Sequence, residues 1–399
     1  MKVLYVYDGH WPFQATRAIK QSDVLLAAGH EVMMLSRGSA GAPREERNGK
    51  LSVSRLPSME SKLLDRIVNY PVFLNPVWLR HIRRHVRTMK PDCIIVGDLP
   101  LAPAAVIASG GRIPVHYDMA EVYPVGLASV APHESSVPLK MVRATGFAFA
   151  LERWVLKRVA TTFVVSEDSR ERVHSLGVDP SRVVLVGNTP ANADAIRRDW
   201  DPPADIADIV AAKRPSAIFV GNIYADRGLR FAIEGMHEVI REVPKAMLVV
   251  VGEGRERIPL QELAAREGLN DYVRFVGWKH HNDHPAYLRY AQVGLLPFVE
   301  TEHIRITLAN KLFDYMAAGI PIVASDVPSM RRVIDETKTG ILVPASDKQA
   351  LGRAMITLFK DDALRAEMGR HGVAAIDDKY DWNKDAQRFL DAIYKATPA

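Results

Sequence analysis

The stretch 307-TLANKLFDYMAAGIPIVASD-326 decides how the chain reads. Leu308, Leu312, Tyr315, Met316 and Ala318 recur at helical spacing, which predicts a short amphipathic helix over Asn310–Ala318. Gly319 stops it, Pro321 follows, and Ile320–Ala324 predicts a short buried strand. Asn310, Lys311 and Asp314 lie in the first turns of that helix. Amides exposed there can hold a phosphate, Lys311 adds positive charge, and Asp314 can accept from sugar or ribose hydroxyls. A helix, a glycine and a strand with Lys and Asp at the surface also occur in any α/β fold.

The same alternation runs outward in both directions. Toward the N-terminus, strands are predicted at Lys2–Tyr7, Glu31–Leu35, Leu51–Leu56, Asp92–Gly97, Val115–Tyr117, Thr161–Val165 and Arg182–Val186. Helices are predicted between them at Ala15–Ala28, Val77–Lys90, Leu101–Ser109, Leu139–Arg158 and Ser169–Leu176. A polar, acidic stretch over 191–213, with Asp201-Pro202-Pro203, reads as a linker. The pattern then restarts, with strands Ala217–Val220, Ala246–Val251, Val273–Val276, Val293–Pro297, Ile320–Ala324 and Ile341–Val343. Helices are predicted at Arg227–Arg241, Pro259–Arg266, Ala286–Ala291, Met330–Asp335 and Asp347–Phe359, and a last one at Trp382–Tyr394. Two doubly wound, parallel-sheet domains follow, over 1–190 and 214–380.

Composition agrees. A chain of 399 residues has room for two domains, and 48% hydrophobic with 25% charged residues suits a globular protein. Met1–Asp8 is too short in apolar residues for a signal peptide, and no apolar run reaches membrane-spanning length, so a cytoplasmic location is expected. Cys93 is the single cysteine, which excludes an internal disulfide and a cysteine zinc cage. A net charge of +5 suits anionic partners such as nucleotides or lipid diphosphates. It does not argue for nucleic acid, and no motif for binding one is present.

A Rossmann-like pattern invites a nicotinamide cofactor, but neither candidate loop fits. Asp8-Gly9-His10-Trp11-Pro12 has one glycine and a proline, and Gly252-Glu253-Gly254-Arg255-Glu256-Arg257 carries Arg257 where the third glycine belongs.

The segment 307–326 resembles the nucleotide-sugar segment of the retaining GT-B glycosyltransferases of family 4 (group 1), whose members often carry NK, an aromatic, an acid, then YMAAGxPIVASD. The resemblance covers essentially the whole chain. It implies two Rossmann-like domains facing across a cleft, with the helix over 382–396 returning to the N-terminal domain. It further implies transfer of a hexose from a UDP- or GDP-sugar, with retention and no cofactor or metal, to a glycan or lipid-linked glycan, in cell-surface polysaccharide synthesis.

Carried over residue by residue, the resemblance implies a donor site of Gly9, Gly221, Asn222, Arg227, Gly252, Gly254, Trp278, Asn310, Lys311 and Asp314. The strand-to-helix turn 221–228 presents amides to an anion, and Arg227 can fork onto a diphosphate. Relatives usually carry Arg where Asn222 stands, so one of two cations is missing. Trp278 either stacks on the base or packs between strand and helix. Asp314 replaces the family's second Glu, and the first acid falls on Ile306; Glu300 or Glu302 either supplies that carboxylate from the loop or is a surface acid. On the acceptor side, His116-Tyr117-Asp118-Met119-Ala120-Glu121 resembles a family stretch whose His falls on Ala120; the protein either does without it or borrows His116 or His10. Asp118 and Glu121 are candidates for the acceptor hydroxyl, with Asp98 nearby, and Glu302 completes the catalytic set. His280-His281-Asn282-Asp283-His284 is rich in metal-ligand types but too closely spaced to converge.

Val77–Lys90 is a basic amphipathic helix with Trp78, Ile82, Val86 and Met89 on its apolar stripe, after the apolar stretch 70–76. It either packs in the core with a solvated basic face or rests on an anionic inner membrane near a lipid-linked acceptor. Two other readings of the chain remain open. One is a nucleotide-sugar-binding protein without activity, marked by Ala120, Asn222 and Ile306. The other is a sugar-nucleotide 2-epimerase of the same fold.

Overall fold

The computed structural model describes residues 1–12, 15–38, 41–57, 73–130 and 146–397. Residues 13–14 of the first loop, 70–72 of the apolar stretch and 139–145 of the helix predicted at Leu139–Arg158 lie outside them. The chain divides into Met1–Gly187 with Asn383–Ala399, and Asn188–Trp382.

The first unit is built on strands β1 (Lys2–His10), β2 (Glu31–Arg37), β3 (Glu45–Asn48), β4 (Leu51–Arg55), β5 (Cys93–Gly97), β6 (Val115–Met119), β7 (Thr161–Val164) and β8 (Val183–Leu185). They run in the order β3-β4-β2-β1-β5-β6-β7-β8, all parallel except the β3–β4 pair. Val3, Leu4 and Val6 of β1 and Ile94, Ile95 and Val96 of β5 are fully buried. Strands covered on both faces carry such unbroken apolar runs. The closing helix, Trp382–Ala396, packs in this unit, with Phe389 tilted on Phe163 and Tyr394 bonded to His30 at 2.8 Å.

The second unit carries β9 (Ser216–Val220), β10 (Met247–Val251), β11 (Val273–Gly277), β12 (Val293–Leu296), β13 (Ile322–Ser325) and β14 (Gly340–Val343). Their order, β11-β10-β9-β12-β13-β14, is wholly parallel and reverses between β9 and β12. Ligands of such sheets bind outside the carboxyl ends of the strands at that reversal.

The stretch over 191–213 is not a linker. It folds as two short helices, Ala193–Arg197 and Ala207–Ala211, and Ile206 and Ile209 enter the second unit's core. Its acids are held there, Asp205 by Lys279 at 2.7 Å and Asp208 by Arg274 at 2.8 Å. The helix Pro76–Met89 buries Trp78, Ile82 and His85 against neighbours in its own unit, so its apolar stripe faces the core. Among the described residues, no helix is long and apolar enough to cross a membrane.

Candidate functional site

In the second unit the loops leaving β9 and β12 are bonded together where the strand order reverses. The Val299 amide donates to the Asp226 carbonyl at 2.9 Å, and the Arg227 guanidinium lies 4.9 Å from the centre of the Phe298 ring. Gly228 makes this approach possible: its φ is +65°, and a Cβ there would lie 1.8 Å from the Pro297 carbonyl oxygen. Arg227 is thus set on an aromatic face, paired at 3.6 Å with its neighbour Asp226 and, among the described residues, with no other acid, and 21% exposed.

Gly252 and Gly254 have a different reason to be glycine than the sequence suggested. The turn after β10 lies directly on the turn after β9, with the Gly221 amide on the Val251 carbonyl at 3.0 Å and the Ile223 amide on the Glu253 carbonyl at 2.9 Å. A Cβ on Gly252 would sit 1.8 Å from the Gly221 oxygen, and one on Gly254 2.1 Å from the Ile223 oxygen. These glycines let two loops touch. Asn222 is exposed beside them, and Glu253 pairs with Arg257. Trp278 follows β11 and is 52% exposed, so it is not packed between strand and helix.

The helix Asn310–Ala317 is pinned to the same place from below. Tyr315 is fully buried, its hydroxyl accepting from the Val220 amide at 3.1 Å, and its ring lies where a Cβ on Gly294 would be. The helix starts at Ala309 with no side-chain cap and with no acid in its first turn, leaving amide donors at Asn310 and Lys311. Lys311 Nζ donates to Asp314 Oδ2 at 2.9 Å and to His284 Nδ1 at 3.1 Å. An ammonium only donates, so Nδ1 of His284 carries its lone pair. Burial first, and the Lys311 charge second, push the His284 pKa down to about 3, which keeps the ring neutral. Lys311 and Asp314 are each 23% exposed, so both still reach solvent.

The histidine-rich turn therefore serves Lys311. The His280 and His281 rings lie 4.2 Å apart and His280 Nδ1 accepts from the Asn282 amide at 3.3 Å, but among the described residues no cluster of three metal-ligand types forms. The loop acids divide. Glu300 is paired with Arg305, whereas Glu302 is exposed at the start of the helix Glu302–Ile306. Ile306 is half-buried.

In the first unit the strand order reverses between β1 and β5, and the sequence-predicted acids there behave unlike one another. Asp118 is buried. Both its oxygens accept from Arg17 Nε, at 2.8 and 3.0 Å, with Nη2 at 2.7 Å and Gln21 Nε2 at 3.0 Å, and Gln21 in turn accepts from Tyr5. With its lone pairs taken inside the fold, Asp118 is a structural carboxylate, not a receiver of an acceptor hydroxyl. His116 is no substitute for the residue missing at Ala120: it is fully buried, stacked on Phe163, and burial pushes its pKa down to about 4. Gly9 is glycine because the Tyr7 ring covers it, a Cβ there falling 2.6 Å from the Tyr7 hydroxyl.

Asp98 and Asp8, both half-buried, stand with exposed Glu121 at the other end of this group. Asp98 has φ +58°, a left-handed conformation that aspartate tolerates better than most residues, and its carboxylate accepts from the Glu121 amide at 3.3 Å. Burial and the charges of Asp8, Glu121 and Asp118 raise its pKa well above the usual range. Burial also raises Asp8 to about 6, with Glu121 adding to the rise and Arg37 opposing it. Asp8, Arg17 and His284 were not singled out from sequence. Asp8 sat beside Gly9, and His284 sat inside a turn rich in metal-ligand types.

Residues 214–361 match the family described as "Glycosyl transferases group 1", and residues 15–189 match "Glycosyl transferase 4-like domain". The chain belongs to the group 1 glycosyltransferases. It is 31% identical over 176 residues to the phosphatidyl-myo-inositol mannosyltransferase of Mycobacterium leprae, covering 44% of this chain and 45% of that relative. The chain thus spans about half the length of that protein. Among solved structures, sucrose-phosphate synthase from Thermosynechococcus elongatus superposes with a TM-score of 0.76 at 18% identity over 99% of both chains. Anabaena HepE in complex with UDP-glucose superposes at 0.74 with 14% identity, over 99% of this chain and 100% of that one. At these identities the likeness establishes the fold, two parallel-sheet α/β domains of GT-B type.

Proposed function

We propose that this glycosyltransferase moves a hexose, with retention, from a nucleoside-diphosphate sugar to a glycan or lipid-linked glycan in cell-surface polysaccharide synthesis. The observation that carries the reading is Lys311, held between Asp314 and neutral His284 at the uncapped start of the Asn310–Ala317 helix. A cation and free amides at a helix start suit a diphosphate. Asp314 remains exposed enough to accept from ribose or sugar hydroxyls, and Trp278 offers an exposed ring to a base.

As the bond to the sugar breaks, negative charge grows on the departing diphosphate. Lys311, Arg227 and the helix amides are fixed before that charge appears, which is the most effective kind of stabilisation. No cofactor or metal is required in this reading, because the cations and amides answer the leaving group. The acceptor side is read at Asp98 and Glu121, with Asp8 close enough to raise the Asp98 pKa, and the location as cytoplasmic. Anabaena HepE, by its description a complex with UDP-glucose, supports a UDP-sugar as the first donor to try.

The test is calorimetric titration of UDP, GDP and their common sugars in chelator, with Asp314→Ala and Arg227→Ala alongside. Binding of one nucleotide, lost in both variants, supports the reading. Binding that survives both sinks it. Slow conversion of donor to free sugar marks a transferase, an isomerised sugar marks an epimerase, and neither marks a binder.

A further inference from the structure

The second unit holds a cavity of about 170 Å³ at the end of its sheet away from the donor loops. Ser216, in its lining, opens β9, and Gln292, also in its lining, immediately precedes β12. The turns that carry Arg227 and Phe298 leave the other ends of these two strands. A strand's length, roughly 15 Å, therefore separates the two places.

The walls are mostly apolar. Ile218 and Val249 reach the cavity from paired positions on β9 and β10, and Ile209 reaches it from the short helix Ala207–Ala211. The hydroxyls of the lining are all answered inside the fold. Ser216 Oγ donates to the Tyr290 carbonyl at 3.0 Å, the Tyr287 hydroxyl to Asp205 at 3.0 Å, and the Tyr290 hydroxyl to the Trp200 carbonyl. Gln292 is different: its Oε1 is buried and accepts from no donor among the described residues. Native folds leave few buried amide oxygens in that state, because each has given up water for nothing.

The charged residues of the lining are Lys213 and Arg214, and no acid joins them. Lys213 is exposed, with φ +49°, and has no ion-pair partner among the described residues. Arg214 donates to the Lys245 and Asp271 carbonyls at 3.0 and 2.9 Å, neutral partners that leave its charge without an ion pair.

We propose that this cavity binds a small aromatic carboxylic acid that carries a hydroxyl. The ring sits among Ile209, Ile218 and Val249, the hydroxyl donates to Gln292 Oε1, and the carboxylate meets Lys213 and Arg214. A cavity of about 150 Å³ is enough for a benzene ring. Volume alone would admit any apolar molecule of that size; the unanswered oxygen asks for a donor, and the two cations ask for an anion. Tyr287 and Tyr290 on one side favour a ring over a branched chain. A nucleotide is too large for the space, and an inorganic anion would leave the apolar walls unfilled. The inference does not rest on the donor-site reading.

The full chain is titrated calorimetrically with the three positional isomers of hydroxybenzoate, with benzoate, and with tyramine, which keeps ring and hydroxyl but carries an ammonium. Saturable binding of one isomer below about 1 mM is expected, well within what about ten heavy atoms can supply. Benzoate lacks the donor and should bind about tenfold more weakly, and tyramine should not bind. Gln292→Met keeps the side chain's length and should erase the preference for the hydroxylated acid. Lys213→Asn, which suits a left-handed backbone, should weaken the acid about threefold. Val210→Phe, at a half-buried position of the lining, should fill the space and abolish binding. Thermal midpoints are checked first, and if Val210→Phe does not fold, the Gln292 and Lys213 variants decide. Absence of binding by every isomer, equal affinity for benzoate or tyramine, or a Gln292→Met protein that still prefers the hydroxylated acid overturns the proposal. So does binding that is lost in Asp314→Ala and kept in Val210→Phe, which would put the acid in the donor site. No nucleotide sugar is present, so the outcome is separate from that of the donor titration.

Discussion

Asp118→Asn separates a structural carboxylate from a catalytic one. In the folded protein Asp118 and Arg17 are 3% and 11% exposed, and Arg17 donates to both carboxylate oxygens. The substitution keeps the shape but removes the charge, and the new amide turns N–H groups toward donors on Arg17 or Gln21. Breaking one side of a buried pair costs about 3–5 kcal/mol, because the partner's charge is left without an answer. For a unit of this size each kcal/mol moves the melting midpoint by roughly 2–4 °C, so the first unit should melt on the order of 10 °C lower. The assay is calorimetry of the unfolding transitions, with sugar transfer measured well below them. Transfer should persist at low temperature. Arg17→Met with Asp118→Leu should destabilise less than either single change, since the pair leaves together. A variant that melts within about 1 °C of the parent yet transfers no sugar would refute the structural assignment and return Asp118 to the chemistry.

Gly254→Ala places a Cβ 2.1 Å from the Ile223 oxygen, so the second unit should lose about 2 kcal/mol or more in denaturant unfolding, an effect absent in Gly268→Ala, where nothing lies within 4 Å, beyond its own backbone cost. His284→Leu removes the neutral acceptor from Lys311 and should weaken binding of the preferred nucleoside diphosphate about fivefold by calorimetry, with His284→Asn closer to the parent. Asp8 has a folded pKa of about 6, above its unfolded value, so the folded state holds the extra proton between the two and stability from this group falls as pH rises through 6. Asp8→Asn should therefore raise the melting midpoint relative to the parent at pH ~8 and bring little gain at pH ~4; an equal gain at both would contradict the assignment.

Local pattern carried much of the architecture. Strands such as β5 and β10 are unbroken apolar runs bounded by turn residues, and they form within a residue or two of where the pattern puts them. Other elements lacked such a signal. Strand β3, Glu45–Asn48, is polar and lies at the surface, and it exists because β4 offers it an edge. The helix Asp362–Asp378 contains Gly369 and Gly372, which argue against a helix by propensity. Tertiary contact reverses that argument: a Cβ on Gly369 would lie 2.1 Å from the Gly319 oxygen, and one on Gly372 3.0 Å from Met316. These glycines let the helix lie tightly on Asn310–Ala317 and the glycine that follows it.

The two candidate sites differed in legibility for the same reason. Lys311 and Asp314 are three residues apart on one helix, so their pairing follows from helical geometry and could be read in advance. Asp118 and its partner Arg17 are 101 residues apart, on elements that meet only once the first sheet has formed. In sequence Asp118 shows an acid in a polar-looking stretch; in the fold it shows a lone pair already spent. Asp98 accepts one bond, from the Glu121 amide, and its backbone angle of +58° is a feature that no composition or spacing encodes. A carboxylate held in that conformation, beside Asp8 and Glu121, stays put only because the strands on either side fix it. Acids gathered this closely raise one another's pKa, so Asp98 is the residue at which the proposed acceptor side should first be probed.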